Sequence, residues 1–331
     1  MTRILVTGGA GYVGSVSVEA FLAAGHEVVV LDDATTGHAA AVPAGATFHE
    51  GTYADTSAVA RLLASERIEA ILHCAARSLV GESGRDPAKY YRDNVAGGIA
   101  LLEAARTTGV GRIVFSSSAA VYGVPDEAPI GEDAPLRPIN PYGETKRTFE
   151  GALRWYGAAY GLRSVSLRYF NVAGATEALG EDHDPETHLI PNVLAAAEGA
   201  RPLTVFGDDY PTPDGTCIRD YIHVADLADA HLRGIEATAD SDPRTAEPLI
   251  CNLGTAGGFS VREVLAAAEA VVGHAIPYTL GERRAGDPPI LVASNERAGR
   301  VLGWQARRPT LEAMVGSAWA WRQRHPDGYP D

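Results

Sequence analysis

The amino-acid sequence predicts an α/β protein built on a doubly wound parallel sheet, with a smaller mixed α/β lobe attached. Three observations predict this. Up to about residue 170, short apolar runs alternate with stretches of helical periodicity, which implies parallel strands covered by helices on both faces. The first run is followed at once by Thr7-Gly8-Gly9-Ala10-Gly11-Tyr12-Val13-Gly14, four glycines in seven positions. The length of 331 residues also exceeds what one hydrophobic core usually organises. The expected division is a sheet domain over residues 1–170, to whose sheet later segments can return, and a lobe over 171–331.

The strand runs are Ile4–Val6, Val28–Leu31, Ile71–Cys74, Ile113–Phe115 and Val165–Leu167, and the helical patterns between them lie at Val13–Ala24, Val59–Leu63 and Ile99–Ala105. Beyond residue 170 the pattern loosens into Pro- and Gly-rich loops such as Asp208–Gly215. Among them, helices are expected over Leu189–Glu198, Val224–Glu236, Val261–Val271 and Thr310–Arg324, and strands at Leu203–Phe206 and near Pro277–Leu280. The sequence contains neither an internal repeat nor a low-complexity tract.

With 46% hydrophobic and 21% charged residues the composition is that of an ordinary globular protein. A formal charge of −14 argues against a nucleic-acid surface and against an anionic membrane. An anionic ligand would need a local cationic pocket. Of the 28 cationic side chains only Lys89 and Lys146 are lysines, so a lysine at a meaningful position carries weight. Cys74, Cys217 and Cys251 are odd in number and widely spaced, which suits packing thiols in a reducing compartment. No signal-peptide pattern and no membrane-length apolar run is present, and a cytoplasmic location is expected.

Gly8, Gly11 and Gly14 fall in a strand, turn, helix context, the setting of a dinucleotide fingerprint on a Rossmann-like sheet. One glycine permits the sharp turn, one lets backbone approach a pyrophosphate, and one lets helix and sheet pack closely; the helix N-terminus adds N–H groups and a positive dipole end. A βα turn that simply needs glycine is the plainer reading. Asp32, followed by Asp33, ends the second apolar run 18 residues past Gly14. A carboxylate there accepts hydrogen bonds from an adenosine ribose and repels a 2′-phosphate, so NAD is expected over NADP. The spacing is G-x-x-G-x-x-G, looser than in the simple dehydrogenases.

The chemical signal lies further on. Ser116-Ser117-Ser118 follows the run ending at Phe115, and 24 residues after Ser118 comes Tyr142-Gly143-Glu144-Thr145-Lys146. On a helix, Tyr142 and Lys146 share a face at i and i+4. A serine cluster or a Tyr/Lys pair alone is ordinary loop or surface; together, beside a dinucleotide turn, they specify alcohol/ketone chemistry. A phenol with a pKa near 10 is a poor base at neutral pH unless an ammonium and a cationic nicotinamide stabilise its phenolate. Lys146 suits the first role, and Ser118 can steady the proton on the substrate oxygen.

At this point the chain resembles the extended short-chain dehydrogenase/reductases, within the NAD-dependent epimerase/dehydratase family. The resemblance runs nearly end to end. It is carried by Val6–Gly14, Leu79–Ser83, Asn94-Val95, Arg168-Tyr169-Phe170-Asn171, Phe206–Thr212, Arg219–Val224 and Arg283–Asp287, the later blocks resembling the branch that epimerises UDP-hexoses at C4. The resemblance implies Tyr142 as base, Lys146 on the nicotinamide ribose and Ser118 at the sugar 4-hydroxyl. Near NAD it implies Gly8, Gly11, Tyr12, Val13, Gly14, Asp32, Asp33, Thr52, Tyr53, Asn94 and Tyr169, with the strand end Cys74-Ala75-Ala76-Arg77. For the nucleotide sugar it implies Asn171, His188, Leu189, Thr204, Phe206, Arg219, Arg284 and Asp287, the two arginines binding the diphosphate. In the implied reaction Tyr142 takes the 4-hydroxyl proton while C4 gives hydride to tightly bound NAD; the 4-keto sugar turns over and takes hydride back on its other face. A homodimer through long helices over Asp86–Thr108 and Pro141–Tyr160 is implied as well.

Four positions depart from the family pattern: Thr52 for a frequent Asp, Ala120 for Thr, His188 for Asn, and Leu291 at the residue that sets pocket size, which leaves acceptance of UDP-N-acetylhexosamines open. The stretch His183-Asp184-Pro185-Glu186-Thr187-His188 offers metal-ligand types, but its proline favours a plain loop and no metal is expected. Rival readings are a nucleotide-sugar 4,6-dehydratase, disfavoured because Ala119-Ala120 follow Ser118 where an acid/base carboxylate pair is needed, a decarboxylase, for which no carboxyl-recognition set is visible, and a catalytically silent NAD-binding sensor, which would have no reason to keep Tyr142 with Lys146.

Overall fold

The structure, a computed structural model, describes residues 1–240, 247–284 and 286–330; Ala285, within the Arg283–Asp287 block, lies outside the described residues. The chain opens with β1 (Arg3–Thr7), α1 (Tyr12–Ala23), β2 (Glu27–Asp32), β3 (Thr47–Glu50), α2 (Thr56–Ser65) and β4 (Ala70–His73). Two short helices, α3 (Val80–Arg85) and α4 (Pro87–Tyr90), lead through a π-helical turn at Tyr91–Gly97 into α5 (Gly98–Thr108), β5 (Arg112–Ser118), α6 (Pro141–Tyr160) and β6 (Arg163–Tyr169). The remainder supplies β7 (Asn171–Ala173), α7 (Leu189–Ala197), β8 (Leu203–Phe206), β9 (Ile218–Arg219), β10 (Tyr221–His223), α8 (Val224–Asp240), β11 (Leu249–Leu253), β12 (Phe259–Ser260), α9 (Val261–Val272), β13 (Tyr278–Gly281), β14 (Ile290–Leu291), α10 (Glu296–Leu302) and α11 (Leu311–Arg324).

Seven strands form one parallel sheet in the order β11-β6-β5-β4-β1-β2-β3. Alternation along the strands divides its side chains between two cores. Ile4, Val6, Val28 and Val30 pack with Phe21 of α1 and Leu227 of α8, whereas Leu5, Val29, Leu31 and Ile71 pack with Leu63 of α2, Leu101 of α5 and Phe149 of α6. β11 comes from the second half of the chain and pairs in parallel with β6, Leu249 opposite Val165. The lobe has a core of its own, including Val193, Leu203, Val264 and Met314.

One residue ties lobe to sheet. The buried carboxylate of Asp220 accepts hydrogen bonds from the backbone N–H groups of Tyr221 (2.8 Å), Thr255 (2.7 Å), Ala256 (3.1 Å) and Ala293 (3.0 Å), and from the Thr255 hydroxyl (2.8 Å). Gly254 makes the approach possible, since a Cβ there would lie 2.3 Å from Asp220 Oδ2.

The helix expected as one element over Asp86–Thr108 is modified at both its start and its middle. Asp86 is the cap of α4, accepting the Lys89 N–H at 3.1 Å, and the π turn inserts extra backbone at Tyr91–Gly97. Such turns are frequent at functional positions, and this one aims Asn94 inward.

Candidate active site

Strand order reverses at β1, which lies between β4 and β2. In open α/β sheets the crevice beyond the carboxyl ends of such strands is where ligands bind. Here it deepens into a cleft of about 1360 Å³ running from the glycine turn to the lobe. Gly8 sits at φ +76°, and a Cβ on it would lie 2.5 Å from the Ala75 nitrogen; a Cβ on Gly14 would lie 2.0 Å from the Gly8 carbonyl oxygen. Gly11 differs: a Cβ there would make only an ordinary 3.5 Å contact, so its bareness serves the open side, where a diphosphate would approach. Gly11 also begins α1 without a capping side chain, leaving the first N–H groups available to an anion. The turn therefore fits a dinucleotide.

At the end of β2, Asp32 accepts the N–H groups of Ala10 and Ala34, each at 2.9 Å, which fixes its carboxylate against the turn; burial raises its pKa although these bonds lower it. Asp33 accepts the Thr35 N–H at 3.1 Å. Beyond β4, burial pushes the Cys74 thiol up to about 11, so it is an inert wall. Tyr53 donates its hydroxyl to the Asp93 carbonyl at 2.9 Å.

Ser118 is the last residue of β5, and Tyr142 and Lys146 lie on the first turns of α6. The local sequence explains the placement: Asn140 caps α6 by accepting the Gly143 N–H at 2.9 Å, and Pro141 occupies the first helical position. Burial raises the Tyr142 phenol, and a hydrogen bond with Ser118 partly offsets that rise. Lys146, also buried and drawn down to about 8, donates to the Ser116 carbonyl at 2.7 Å, with Nζ 4.7 Å from the Phe115 ring centroid and 5.8 Å from that of Tyr142. The ammonium is anchored on the Ser116 carbonyl, and the phenol oxygen is hydrogen-bonded with Ser118.

On the lobe side Asn171 donates to the Asp220 carbonyl at 2.8 Å, Arg219 pairs with Asp287 at 2.7 Å, and the Arg284 guanidinium stacks over the Phe206 ring at 4.2 Å. Thr204, His188, Leu189 and Leu291 face the same cleft. Every residue expected near cofactor or sugar lines it except Asn94. Asn94 is buried in the π turn, where Oδ1 accepts the Arg77 N–H at 2.8 Å and Nδ2 donates to the Arg77 carbonyl and the Thr145 hydroxyl, each at 3.0 Å. It shapes the wall from behind.

Sequence reasoning missed two sets of residues. Behind the reacting groups, Arg168 and Glu150 form a buried bidentate pair (2.9 and 2.6 Å) to which the Ser117 hydroxyl donates at 2.6 Å. Glu150 lies one turn beyond Lys146 on α6, so i+4 spacing was the available signal. The second set is Glu181, together with His183 and Glu186 of the stretch set aside as a plain loop; all three lie on the cleft wall with His188. Burial alone would lower both imidazoles, but the two carboxylates outweigh it and hold His183 at about 9 and His188 at about 10.

A dinucleotide turn and a Ser/Tyr/Lys set opening onto one cleft define a short-chain dehydrogenase/reductase scaffold. More narrowly, the chain belongs to the NAD dependent epimerase/dehydratase family, whose model matches residues 4–254. It is 51% identical over 331 residues to a UDP-glucose 4-epimerase of Streptomyces lividans, covering 99% of this chain and 98% of that one. It superposes on the crystal structure of a UDP-glucose 4-epimerase from Brucella ovis in complex with NAD with a TM-score of 0.93, at 45% identity, covering 96% of this chain and 98% of the other. The corresponding enzyme from Bifidobacterium longum, in complex with NAD+ and UDP, gives a TM-score of 0.91 at 37% identity, covering 99% and 100%.

Proposed function

We infer that the chain interconverts UDP-galactose and UDP-glucose by transient oxidation at C4, with NAD retained and regenerated in each cycle. The observation that carries this reading is the convergence of Ser118, Tyr142 and Lys146 on the same cleft as the glycine turn and the Arg219/Arg284 pair. Bound at that turn, NAD supplies a hydride acceptor at C4 that later returns the hydride. Tyr142 takes the proton of the 4-hydroxyl and gives it back. Ser118 holds the same sugar oxygen and the phenol in one hydrogen-bonded line, and Lys146 anchors the nicotinamide ribose and places positive charge near the phenol. Arg219 and Arg284 hold the diphosphate, fixing the nucleotide while the sugar turns. Asn171, His188, Leu189, Thr204, Phe206 and Asp287 line the sugar side, and Asp32 with Asp33 take the adenosine ribose.

The test is incubation with UDP-galactose and no added NAD, with UDP-glucose quantified. Conversion is expected; none by a folded, NAD-loaded chain would refute the reading. Extending the panel to UDP-N-acetylhexosamines reads the effect of Leu291.

The same proposal includes a homodimer and a cytoplasmic setting. Trp155 and Tyr160 on α6 are 65% and 60% exposed, and Tyr160 carries the Arg106 guanidinium of α5 at 5.3 Å, an aromatic surface suited to a partner copy. All three cysteines are free, in keeping with a reducing compartment, and among the described residues no helix is long and apolar enough to cross a membrane.

A further inference from the structure

The loop before α7 carries four ligand-type side chains whose donor atoms all lie within 4.8 Å of one another: Glu181, His183, Glu186 and His188. His188 Nδ1 is 2.7 Å from Glu181 Oε1 and 2.9 Å from Glu186 Oε1, and His183 Nδ1 is 3.2 Å from Glu181 Oε1 and 3.7 Å from Glu186 Oε2. Both carboxylates are withdrawn from water, with side-chain exposures of 8% and 7%. Among the described residues neither pairs with an arginine or a lysine.

We propose that these four side chains form a structural zinc site. The spacing is the first reason. Zinc bonds of 2.0–2.2 Å to nitrogen and oxygen in a tetrahedron set ligand atoms roughly 3.4 Å apart; here the His–Glu contacts run from 2.7 to 3.7 Å and one donor atom from each of the four residues lies within 4.8 Å of the others, close enough for a small contraction to close the shell. The donor set is the second. Two imidazoles with two carboxylates suit a first-row divalent metal and suit magnesium or calcium poorly, because those ions take oxygen ligands.

Four protein ligands close the coordination shell, which assigns zinc a stapling role with no direct part in the chemistry. The staple would join two parts of the cleft wall through this loop. His183 packs edge-on against Tyr12 of the glycine turn, with ring centroids 6.3 Å apart. His188 is the cap residue of α7, and Leu189 at its first position faces the cleft. The proposal runs against the expectation of a metal-free loop; Pro185, which argued for a loop, is compatible with it because the ligands flank the proline. The inference does not depend on which sugar the site turns over.

The test is metal analysis of the NAD-loaded wild-type protein, incubated with ZnCl2, desalted into metal-free buffer and measured by inductively coupled plasma mass spectrometry. The expected result is about one zinc per chain, falling at least tenfold in His183→Ala and in Glu186→Gln while bound NAD stays stoichiometric. Cobalt chloride in place of zinc should give the intense visible bands of tetrahedral Co2+, lost in the same variants. Retention of less than about a tenth of an equivalent by wild type, or zinc content unchanged in both variants, would overturn the site. Activity on UDP-galactose is read separately, so an active zinc-free enzyme sinks this inference and leaves the epimerase reading standing.

Discussion

At the scale of single residues the catalytic reading turns on Tyr142. Its phenol is raised by burial and held by Ser118, so it works as a base only when cationic charge is brought close. Tyr142→Phe should keep its NAD yet lose about a hundredfold or more in turnover; single-turnover assay of UDP-galactose against spectrophotometric NAD content checks both halves. Lys146 reports itself through stability. Its folded value of about 8 lies below the ordinary 10.5, so between those pH values the unfolded chain binds a proton that the folded chain has released. Folding is therefore favoured as pH rises through that window, while below it the burial penalty is constant. Relative to Lys146→Met, wild type should gain on the order of 3 kcal/mol between about pH 8 and 10.5, read from urea midpoints. Ser118, Tyr142 and Lys146 were legible because their logic is local: a strand end, and two side chains one helical turn apart. The use of Lys146 as a donor to Ser116 was not, because only the folded sheet brings that carbonyl to it.

At the scale of elements, α6 and β6 are joined by the Glu150–Arg168 pair, 6% and 2% exposed. Removing one partner leaves the other charge buried, at a cost of about 3–5 kcal/mol. Glu150→Ala should destabilise by that amount in denaturant unfolding, and the double variant Glu150→Leu/Arg168→Met should recover much of it. Arg168 was quoted only as part of a motif and Glu150 not at all: its i+4 offset from Lys146 was readable, but nothing in the spacing announces a partner on β6. β11 was missed for a related reason. Leu249–Leu253 is a five-residue run with no local signal separating strand from core helix, and it becomes a strand by pairing with β6. Thr47–Glu50 is absent from the expected strands, Phe48 being its one apolar side chain, yet it completes the sheet edge beside β2. The π turn needed the pull of Arg77 and Thr145 on Asn94, which no spacing announces.

At the scale of the molecule, three buried histidines set the acid limit. Burial holds His73 and His231 at about 3 and His223 at about 4, so as pH falls below 6.5 each binds a proton in the unfolded chain only. Each then removes up to about 1.4 kcal/mol of stability per pH unit, and thermal unfolding should show a steep fall in Tm between pH 6 and 4 that His231→Gln makes shallower. Sedimentation at micromolar concentration should find a dimer, and Trp155→Glu with Tyr160→Glu should shift it to monomer. The clasp made by Asp220 bears on how such an enzyme can move. One carboxylate accepts five charge-assisted bonds, four from backbone N–H groups and one from the Thr255 hydroxyl, mostly from distant stretches of the chain, and each is worth about 1.5–3 kcal/mol. Swinging the lobe away from the sheet would forfeit several of them together. Reorientation during the cycle therefore falls to the small carbohydrate tumbling inside a stiff casing.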